Sequence, residues 1–163
     1  MLVQCRPLFM GETDHLPLDA EVDLTQVEWQ GVRPFTHPVR VTGEIVSRAG
    51  VVQLSAQAVF TFEGRCDRCL TGYSRQYTVP LEHILVAALE NEDSDFILLE
   101  DYRLPLDDLV EADILLELPY KSLCREDCRG LCPQCGKNLN EGLCGCTNKT
   151  EDPRLAVLKQ LLN

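Results

Sequence analysis

Residues 124–136 read Cys-Arg-Glu-Asp-Cys-Arg-Gly-Leu-Cys-Pro-Gln-Cys-Gly, and residues 144–146 read Cys-Gly-Cys. Together with Cys66-Asp-Arg-Cys69, they place eight of the nine cysteines in four closely spaced pairs. One tight turn can direct such a pair at a metal ion about 2.3 Å away, and two pairs complete a tetrahedral shell. The sequence therefore predicts two structural zinc sites of four thiolates each. The predicted ligands are Cys66, Cys69, Cys124, Cys128, Cys132, Cys135, Cys144 and Cys146.

The pairing of these cysteines is only partly decided by spacing. Cys132-Pro-Gln-Cys135-Gly136 has the composition of a zinc knuckle, since Pro fixes the turn and Gly permits a positive φ after the second ligand. Cys144 and Cys146 follow soon afterwards, so a short hairpin through residues 138–142 predicts one compact ribbon. The other two pairs would then share a site. Alternatively, Cys66 and Cys69 join Cys132 and Cys135, one pair stays without metal, or Cys128 and Cys132 exchange roles.

Other interpretations of the cysteines are weaker. A buried cysteine is often a small hydrophobic residue, but four chelating pairs argue against that interpretation, and the βαβ context of a thioredoxin-like redox pair is missing. A four-sulfur site leaves no open coordination position, so it supports folding and not hydrolysis. No other catalytic motif stands out, and we expect a protein that is not an enzyme. His15, His37 and His83 lie away from ligand spacing, and Cys5 is expected in the core.

Composition places the chain among acidic intracellular proteins. It has 163 residues, 45% of them hydrophobic, and no basic stretch followed by a long apolar run at its start. The longest apolar run, residues 84–89, is too short to span a membrane. An odd number of cysteines without an export signal favours zinc in a reducing cytoplasm over disulfides. We therefore expect a soluble cytoplasmic protein with no membrane partner.

The net charge of −11 is concentrated in one segment. Residues 81–118 carry 12 acidic residues against the single Arg103, whereas residues 1–80 sum to −2 and residues 119–163 to +2. An acidic surface opposes binding to phosphate backbones, so a basic protein partner is favoured over naked nucleic acid. Alternatively, the acidic residues of this segment form only a solvated loop beside a strand and bind no partner.

Arginines and one lysine lie near the cysteines. They either offset thiolate charge or form a small basic face that touches RNA. These residues are Arg65, Arg68, Arg75, Arg125, Arg129 and Lys137.

Hydrophobic periodicity predicts an α+β fold. Residues 39–45 and 52–62 alternate around Ala49-Gly50 as a β-hairpin, and residues 73–79 and 96–99 are further strand candidates. Residues 2–9 predict an edge strand that Pro7 limits. A helical stripe runs from Leu106 to Leu118, and Asp152-Pro153 begins a second helix with Leu155, Leu158 and Leu162.

These elements predict an antiparallel β-rich body, split-barrel-like or a small sheet, with two helices and a C-terminal zinc-ribbon module. We divide the chain into three parts. Residues 1–120 form the β-rich body with a central helix, residues 121–149 form the cysteine-rich zinc module, and residues 150–163 form a C-terminal helix that packs on the body.

Three motifs in order resemble a known family. They are Cys66-Asp-Arg-Cys69, Leu115-Leu-Glu-Leu-Pro119, and the stretch from Cys124 through Cys135-Gly-Lys-Asn-Leu-Asn. This set is similar to the bacterial YceD family, the large ribosomal RNA subunit accumulation proteins, in a longer form that bears a zinc ribbon. The closing Asp152-Pro153-Arg-Leu-Ala-Val-Leu158 also looks like the end of that family.

The resemblance implies a non-enzymatic role in large ribosomal subunit biogenesis, in bacteria or plastids. It would support the synthesis, processing or stability of large-subunit rRNA, with a ribosomal protein or a pre-ribosomal particle as partner and direct RNA contact as a further option. Family members that lack the ribbon imply that Cys66, Cys69, Cys124 and Cys128 form one site. The alternative function is that of a zinc-ribbon RNA-binding or transcription-associated protein that acts through its Arg-bearing zinc module.

Overall fold

A computed structural model describes residues 1–88 and 96–146 of the chain. In chain order, its elements are β1 (Leu2–Gln4), α1 (Arg6–Phe9), β2 (His15–Val22), β3 (Val39–Arg48), β4 (Val51–Arg65), β5 (Gly72–Val86), β6 (Ile97–Leu98), a 3₁₀ turn (Glu100–Tyr102), β7 (Arg103–Pro105) and α2 (Leu106–Glu117).

Strands β2 to β6 form one sheet in the order β2-β3-β4-β5-β6, and β1 pairs with β7 in a second, two-stranded sheet. All pairings are antiparallel except β5 with β6, which is parallel. The predicted hairpin is confirmed as β3 and β4. Its turn residues Ala49 and Gly50 have φ values of 51° and 83°, as the primed two-residue turns of tightly twisted hairpins require.

The hydrophobic core lies on one face of the larger sheet and against α2. The predicted helical stripe is confirmed, because Leu106, Leu109, Val110 and Ile114 are all buried. Alternation along β3, β4 and β5 places their apolar residues on this face and their polar residues on the other. The largest side chains with almost no exposure are Phe35, Phe62, Ile45, Leu54, Leu81, Leu85, Leu104, Leu106, Ile114, Val22, Val39 and Val41.

The fold class is confirmed as an antiparallel β-rich body with helices and a C-terminal cysteine cluster. Its β part is a small open sheet. The two helices within the described residues are α2 and the single turn α1, which had not been predicted. The helix predicted from Pro153 lies outside the described residues. Nothing in the structure tests the three-part division of the chain, which stays a prediction.

The N-terminal segment differs from the predicted edge strand over residues 2–9. Its strand β1 ends at Gln4, and Pro7 lies in the first turn of α1. Proline lacks the N–H that a continuing ladder would use, but it is tolerated in the first turn of a helix. The partner of β1 is β7 and not the main sheet. This pairing brings the N-terminal amino group of Met1 to the Asp107 carboxylate at the start of α2.

Strand β2 was missed by the sequence analysis although its signal is present. Leu16, Leu18, Ala20 and Val22 alternate with exposed residues in the pattern of a half-buried strand. Pro17 is compatible with this strand because β2 lies at the edge of the sheet. Strand β7 has only three residues and no periodic signal of its own.

The β4-β5 hairpin extends beyond the rest of the sheet as an arm. Strand β3 pairs with β4 only as far as Val59, whereas β4 and β5 stay paired up to Arg65 and Gly72. The turn between them contains Cys66 and Cys69. The arm therefore carries the first cysteine pair away from the core and towards residues 119–146.

The close approach of β3 and β4 at Gly43 can be tested by substitution. A Cβ at Gly43 would overlap the Ala56 Cα and the Ser55 carbonyl oxygen on β4. We expect Gly43→Ala to lower the free energy of unfolding by about 1–3 kcal/mol, because the backbone of β4 must move. The matched control is Gly72→Ala, since a Cβ there meets nothing within 4 Å. Denaturant titration checks both variants, and equal stabilities would contradict the expectation.

Candidate metal centres

The first cysteine pair is shaped by the turn that joins β4 to β5. The Cys66 N–H donates to the Thr71 carbonyl oxygen at 3.0 Å, and the Leu70 N–H donates to the Cys66 carbonyl oxygen at 2.8 Å. Leu70 adopts a φ of 59°, which lets the chain reverse directly after Cys69. The turn therefore holds the two thiols side by side at the tip of the arm.

The segment that follows α2 is clamped to this turn by reciprocal bonds. The Asp67 N–H donates to the Ser122 carbonyl oxygen at 2.7 Å. The Ser122 N–H in turn donates to the Asp67 carboxylate at 2.8 Å. Ser122 is 5% exposed, so its N–H depends on this acceptor. The clamp positions Cys124 and Cys128 opposite the first pair.

The four thiols that meet here form what we call the first cluster: Cys66, Cys69, Cys124 and Cys128. Their sulfurs lie within 4.8 Å of one another. The Cys66 and Cys128 sulfurs are 3.7 Å apart, and the Cys69 and Cys124 sulfurs are 3.6 Å apart. A tetrahedral ion with bonds of about 2.3 Å separates its sulfurs by about 3.8 Å. The geometry fits a tetrahedral metal ion that prefers sulfur.

The electrostatics of the first cluster also favour a cation. Burial opposes ionisation of Cys66, but hydrogen bonds from the backbone at Cys124, Cys69 and Arg68 outweigh it and lower its pKa to about 6. Burial and the neighbouring thiols raise the pKa of Cys124 to about 12. Four thiolates at this separation repel one another strongly, and a divalent ion removes that repulsion.

Two arginines near the first cluster bind backbone carbonyls. The Arg68 guanidinium donates to the Cys128 carbonyl oxygen at 2.9 Å. The Arg75 guanidinium donates to the carbonyl oxygens of Leu123 and Cys124, both at 3.3 Å, and lies over the Tyr73 ring. They hold the segment after α2 against the arm, a role that the sequence analysis did not identify.

The remaining four thiols form the second cluster: Cys132, Cys135, Cys144 and Cys146, whose sulfurs also lie within 4.8 Å of one another. The Cys132 N–H donates to the Lys137 carbonyl oxygen at 2.8 Å, and the Gly136 N–H donates to the Cys132 carbonyl oxygen at 2.9 Å. Gly136 has a φ of 71°, as the knuckle composition predicted.

In the second cluster, as in the first, one thiol has a lowered pKa and another has a raised pKa. Hydrogen bonds from the backbone at Cys135 and Gln134 lower the pKa of Cys132 to about 6. The Cys135 thiol, and then burial, raise the pKa of Cys146 to about 12. This cluster is more accessible than the first, because Cys135 is exposed and only Cys132 is buried. Its donor set also fits a divalent ion.

The structure thus brings the eight thiols together in two groups of four. Cys66 and Cys69 group with Cys124 and Cys128, and not with Cys132 and Cys135. Cys128 lies in the first cluster and Cys132 in the second. All nine cysteines are free thiols.

The other predicted residues lie away from both clusters. Cys5 is fully buried in the core as predicted, and burial raises its pKa to about 11. His15 contacts Glu44 at 2.8 Å, and the ring of His37 lies 3.0 Å from the Thr36 hydroxyl. The pair of His83 with Asp113 at 2.6 Å joins β5 to α2. It was not predicted, since a contact between residues 30 positions apart leaves no local pattern.

Comparison with known proteins identifies the family. The model of the "Large ribosomal RNA subunit accumulation protein YceD" family matches residues 54–162, which include both clusters. The chain belongs to the YceD family. Its YceD relatives include uncharacterized proteins of Mycobacterium bovis and Mycobacterium tuberculosis, each 30% identical over 158 residues that cover 94% of this chain and 73% of the relative. The uncharacterized protein YlbN of Bacillus subtilis is 30% identical over 132 residues, which cover 77% of this chain and 74% of YlbN.

No solved structure matches this YceD chain. In residues 1–88 and 96–146, no helix has both the length and the apolar character needed to cross a membrane.

The clamp between Asp67 and Ser122 can be tested by substitution. We expect Asp67→Ala to lower the free energy of unfolding by about 1–3 kcal/mol, because the buried Ser122 N–H loses its acceptor. Asp67→Asn keeps an acceptor oxygen and should cost less. Glu126→Ala, at an exposed acid of the same segment, is the control. Thermal or denaturant unfolding measures the difference, and an Asp67→Ala variant as stable as Glu126→Ala would contradict this role.

Proposed function

We propose that each cluster holds one structural zinc ion. The observation that carries this proposal is the separation of 3.6 and 3.7 Å between opposing sulfurs of the first cluster, close to the edge of a zinc tetrathiolate. Zn²⁺ in such a set would join the tip of the β4-β5 arm to residues 124–128, and a second ion would close the ribbon of residues 132–146. Four protein ligands leave no position for water or substrate.

Zinc stoichiometry tests this assignment directly. We expect native mass spectrometry to find two zinc ions on the wild-type chain and one on each of the variants Cys66→Ser and Cys144→Ser. Each variant removes a ligand from one cluster only. Cys5→Ser is the control, because it changes a thiol outside both clusters and should keep two ions. At saturating zinc, a variant of one cluster that binds no ion, or a wild type that binds none, would contradict the assignment of one ion to each of two separate sets of ligands.

We propose further that the chain is a non-enzymatic factor in the biogenesis of the large ribosomal subunit. It would support accumulation of large-subunit rRNA in the bacterial cytoplasm. The family's description as large ribosomal RNA subunit accumulation proteins supports this proposal, and so does the closed donor set of both clusters, which suits a protein that presents surfaces and not a reaction centre. The synthesis, processing and stability of the rRNA are the steps on which such a factor can act.

We infer that the partner is a basic protein of the large subunit or of a pre-ribosomal particle. The support is the placement of charge within residues 81–118. Helix α2 carries five acidic residues and no basic residue, and Glu117 lies at its C-terminus, where the helix dipole disfavours an acid. A groove of about 200 Å³ beside the helix is lined by Glu82, Glu117 and the pair of His83 with Asp113, together with the highly exposed Leu116. Acidic side chains around an exposed leucine suit a basic segment with an apolar anchor.

Direct RNA binding through the arginines near the clusters is the alternative. Arg68 and Arg75 donate to carbonyl oxygens, and Arg125 donates to the Asn140 side chain at 2.8 Å. These internal bonds weigh against a free basic face, and the acidic surface favours a protein partner.

A charge-reversal experiment separates these functions. We expect the triple variant Glu82→Lys, Glu111→Lys, Glu117→Lys to lose most copurification with large-subunit proteins, because it reverses charge on α2 and in the groove beside it. In cells without the wild-type gene, it should fail to restore the ratio of large- to small-subunit rRNA. The matched control reverses three acids of residues 1–80, Glu12, Glu21 and Glu63, and should behave as wild type.

Equal copurification of both triple variants would contradict the proposal that a basic partner binds the acidic surface of residues 81–118. Copurification that nuclease abolishes, and that falls steeply with salt, would support the RNA alternative instead. A normal rRNA ratio in cells that lack the protein would contradict the ribosomal function itself.

A further inference from the structure

Asn140 lies in the sequence between Cys135 and Cys144 of the second cluster, yet it contacts a predicted ligand of the first, Cys128. Its side-chain nitrogen donates to the Cys128 sulfur at 3.3 Å and to the Asn138 side-chain oxygen at 2.8 Å. Its side-chain oxygen accepts from the Arg129 N–H and from the Arg125 guanidinium, both at 2.8 Å. Asn140 is half-buried, so these four partners surround its amide group.

The orientation of this amide follows from its partners. A backbone N–H and a guanidinium can only donate, so the group that faces Arg129 and Arg125 must be the oxygen. The nitrogen therefore faces Cys128, where it can donate to a thiolate. Such N–H···S bonds hold a metal ligand in place and stabilise its charge. In this position Asn140 acts on the first cluster from outside the set of ligands.

Asn140 is carried by the hairpin that belongs to the second cluster. Leu131 forms a β-bridge with Asn138, and the Leu139 N–H donates to the Gly130 carbonyl oxygen at 2.9 Å. The hairpin closes around Cys132 and Cys135 and leads directly into Asn140. Its position therefore depends on the order of residues 131–139, which a metal ion in the second cluster would fix.

We infer that Asn140 couples the two metal sites, so that a metal ion in the second cluster strengthens retention of the ion in the first. This inference rests on the proposed metal sites and goes beyond them, since two sites of four thiolates could also bind independently. Loss of metal from the accessible second cluster would free the hairpin and withdraw the N–H···S bond from Cys128. Coupling of binding is reciprocal, so an empty first cluster weakens the second by the same factor.

The experiment uses the full chain loaded with ¹¹³Cd²⁺ as the probe. Two cadmium resonances are expected, assigned with Cys66→Ser and Cys144→Ser. Asn140→Ala should shift the first-cluster resonance and accelerate release of that ion to a chelator by about tenfold, within the range of 10- to 100-fold found when partners of metal ligands are removed. Cys144→Ser, which disables the second cluster, should accelerate release from the first cluster similarly.

Two further variants keep the test decisive. Asn140→Asp retains the acceptor oxygen for Arg129 and Arg125 but has no donor for Cys128, so it should still accelerate release if the hairpin stays in place. Gln76→Ala removes an exposed amide side chain from β5, outside both sets of ligands, and should release both ions at the wild-type rate. Circular dichroism verifies that each variant keeps the β-rich fold.

The failures of the two proposals are distinguishable. A wild-type chain that takes up no cadmium overturns the metal assignment and the coupling together. Two bound ions, with first-cluster release equal in wild type, Asn140→Ala and Cys144→Ser, overturn the coupling alone. Faster release in Asn140→Ala without any shift of the first-cluster resonance would also count against the contact with Cys128.

Discussion

The meeting of four thiols from distant parts of the chain fixes where the segment after α2 lies relative to the β-rich body. Cys66 and Cys128 are 62 positions apart, yet their sulfurs lie 3.7 Å from each other in a buried cluster. Closing so long a loop carries an entropic cost that grows only slowly with length, and a metal ion bound by the four thiols would readily offset that cost. The first cluster thereby fixes where the segment after α2 lies, and with it the whole cysteine-rich region. The hydrogen bonds of Asp67, Arg68 and Arg75 also hold this segment against the β4-β5 arm.

The acidic surface of α2 depends on the packing of this helix against the sheet. Helix α2 carries like charges at Asp107 and Glu111, and again at Asp113 and Glu117, spacings that destabilise an isolated helix. Its formation therefore relies on the burial of its apolar stripe against the sheet. Only a packed body can present so acidic a helix on its surface. Residues 119–163, in contrast, sum to +2 when the thiols are counted as neutral.

The two clusters differ in their accessibility to solvent, and coupling through Asn140 would let this difference affect both. The first is buried at the junction of arm and helix, whereas the second contains the exposed Cys135. A metal ion in the second cluster would be released to solvent more readily, and its loss would then affect the buried cluster through the Asn140 amide. The cysteine-rich region is on this view a single unit with an accessible end and a protected end.

The sequence by itself determined the features that have a short period or a short spacing. Residues 39–62 alternate as a hairpin, Leu106 to Leu118 repeat as a helix, and each cysteine pair lies within one turn, so local geometry fixes all of them. Spacing also predicted the group of Cys132, Cys135, Cys144 and Cys146, but it left the partners of Cys66 and Cys69 open, and only the family resemblance implied that they join Cys124 and Cys128. Strand β2 had a local signal that was overlooked.

Contacts between distant segments of the chain became visible only in the folded structure. These are the pairing of β1 with β7, the clamp of Asp67 on Ser122, the pair of His83 with Asp113, and the approach of Asn140 to Cys128. Each joins residues that do not share an element, so no periodicity along the chain records it. Their positions follow from how the sheet, the arm and α2 pack together, because packing in three dimensions, and not propensity along the chain, brings these groups within bonding distance.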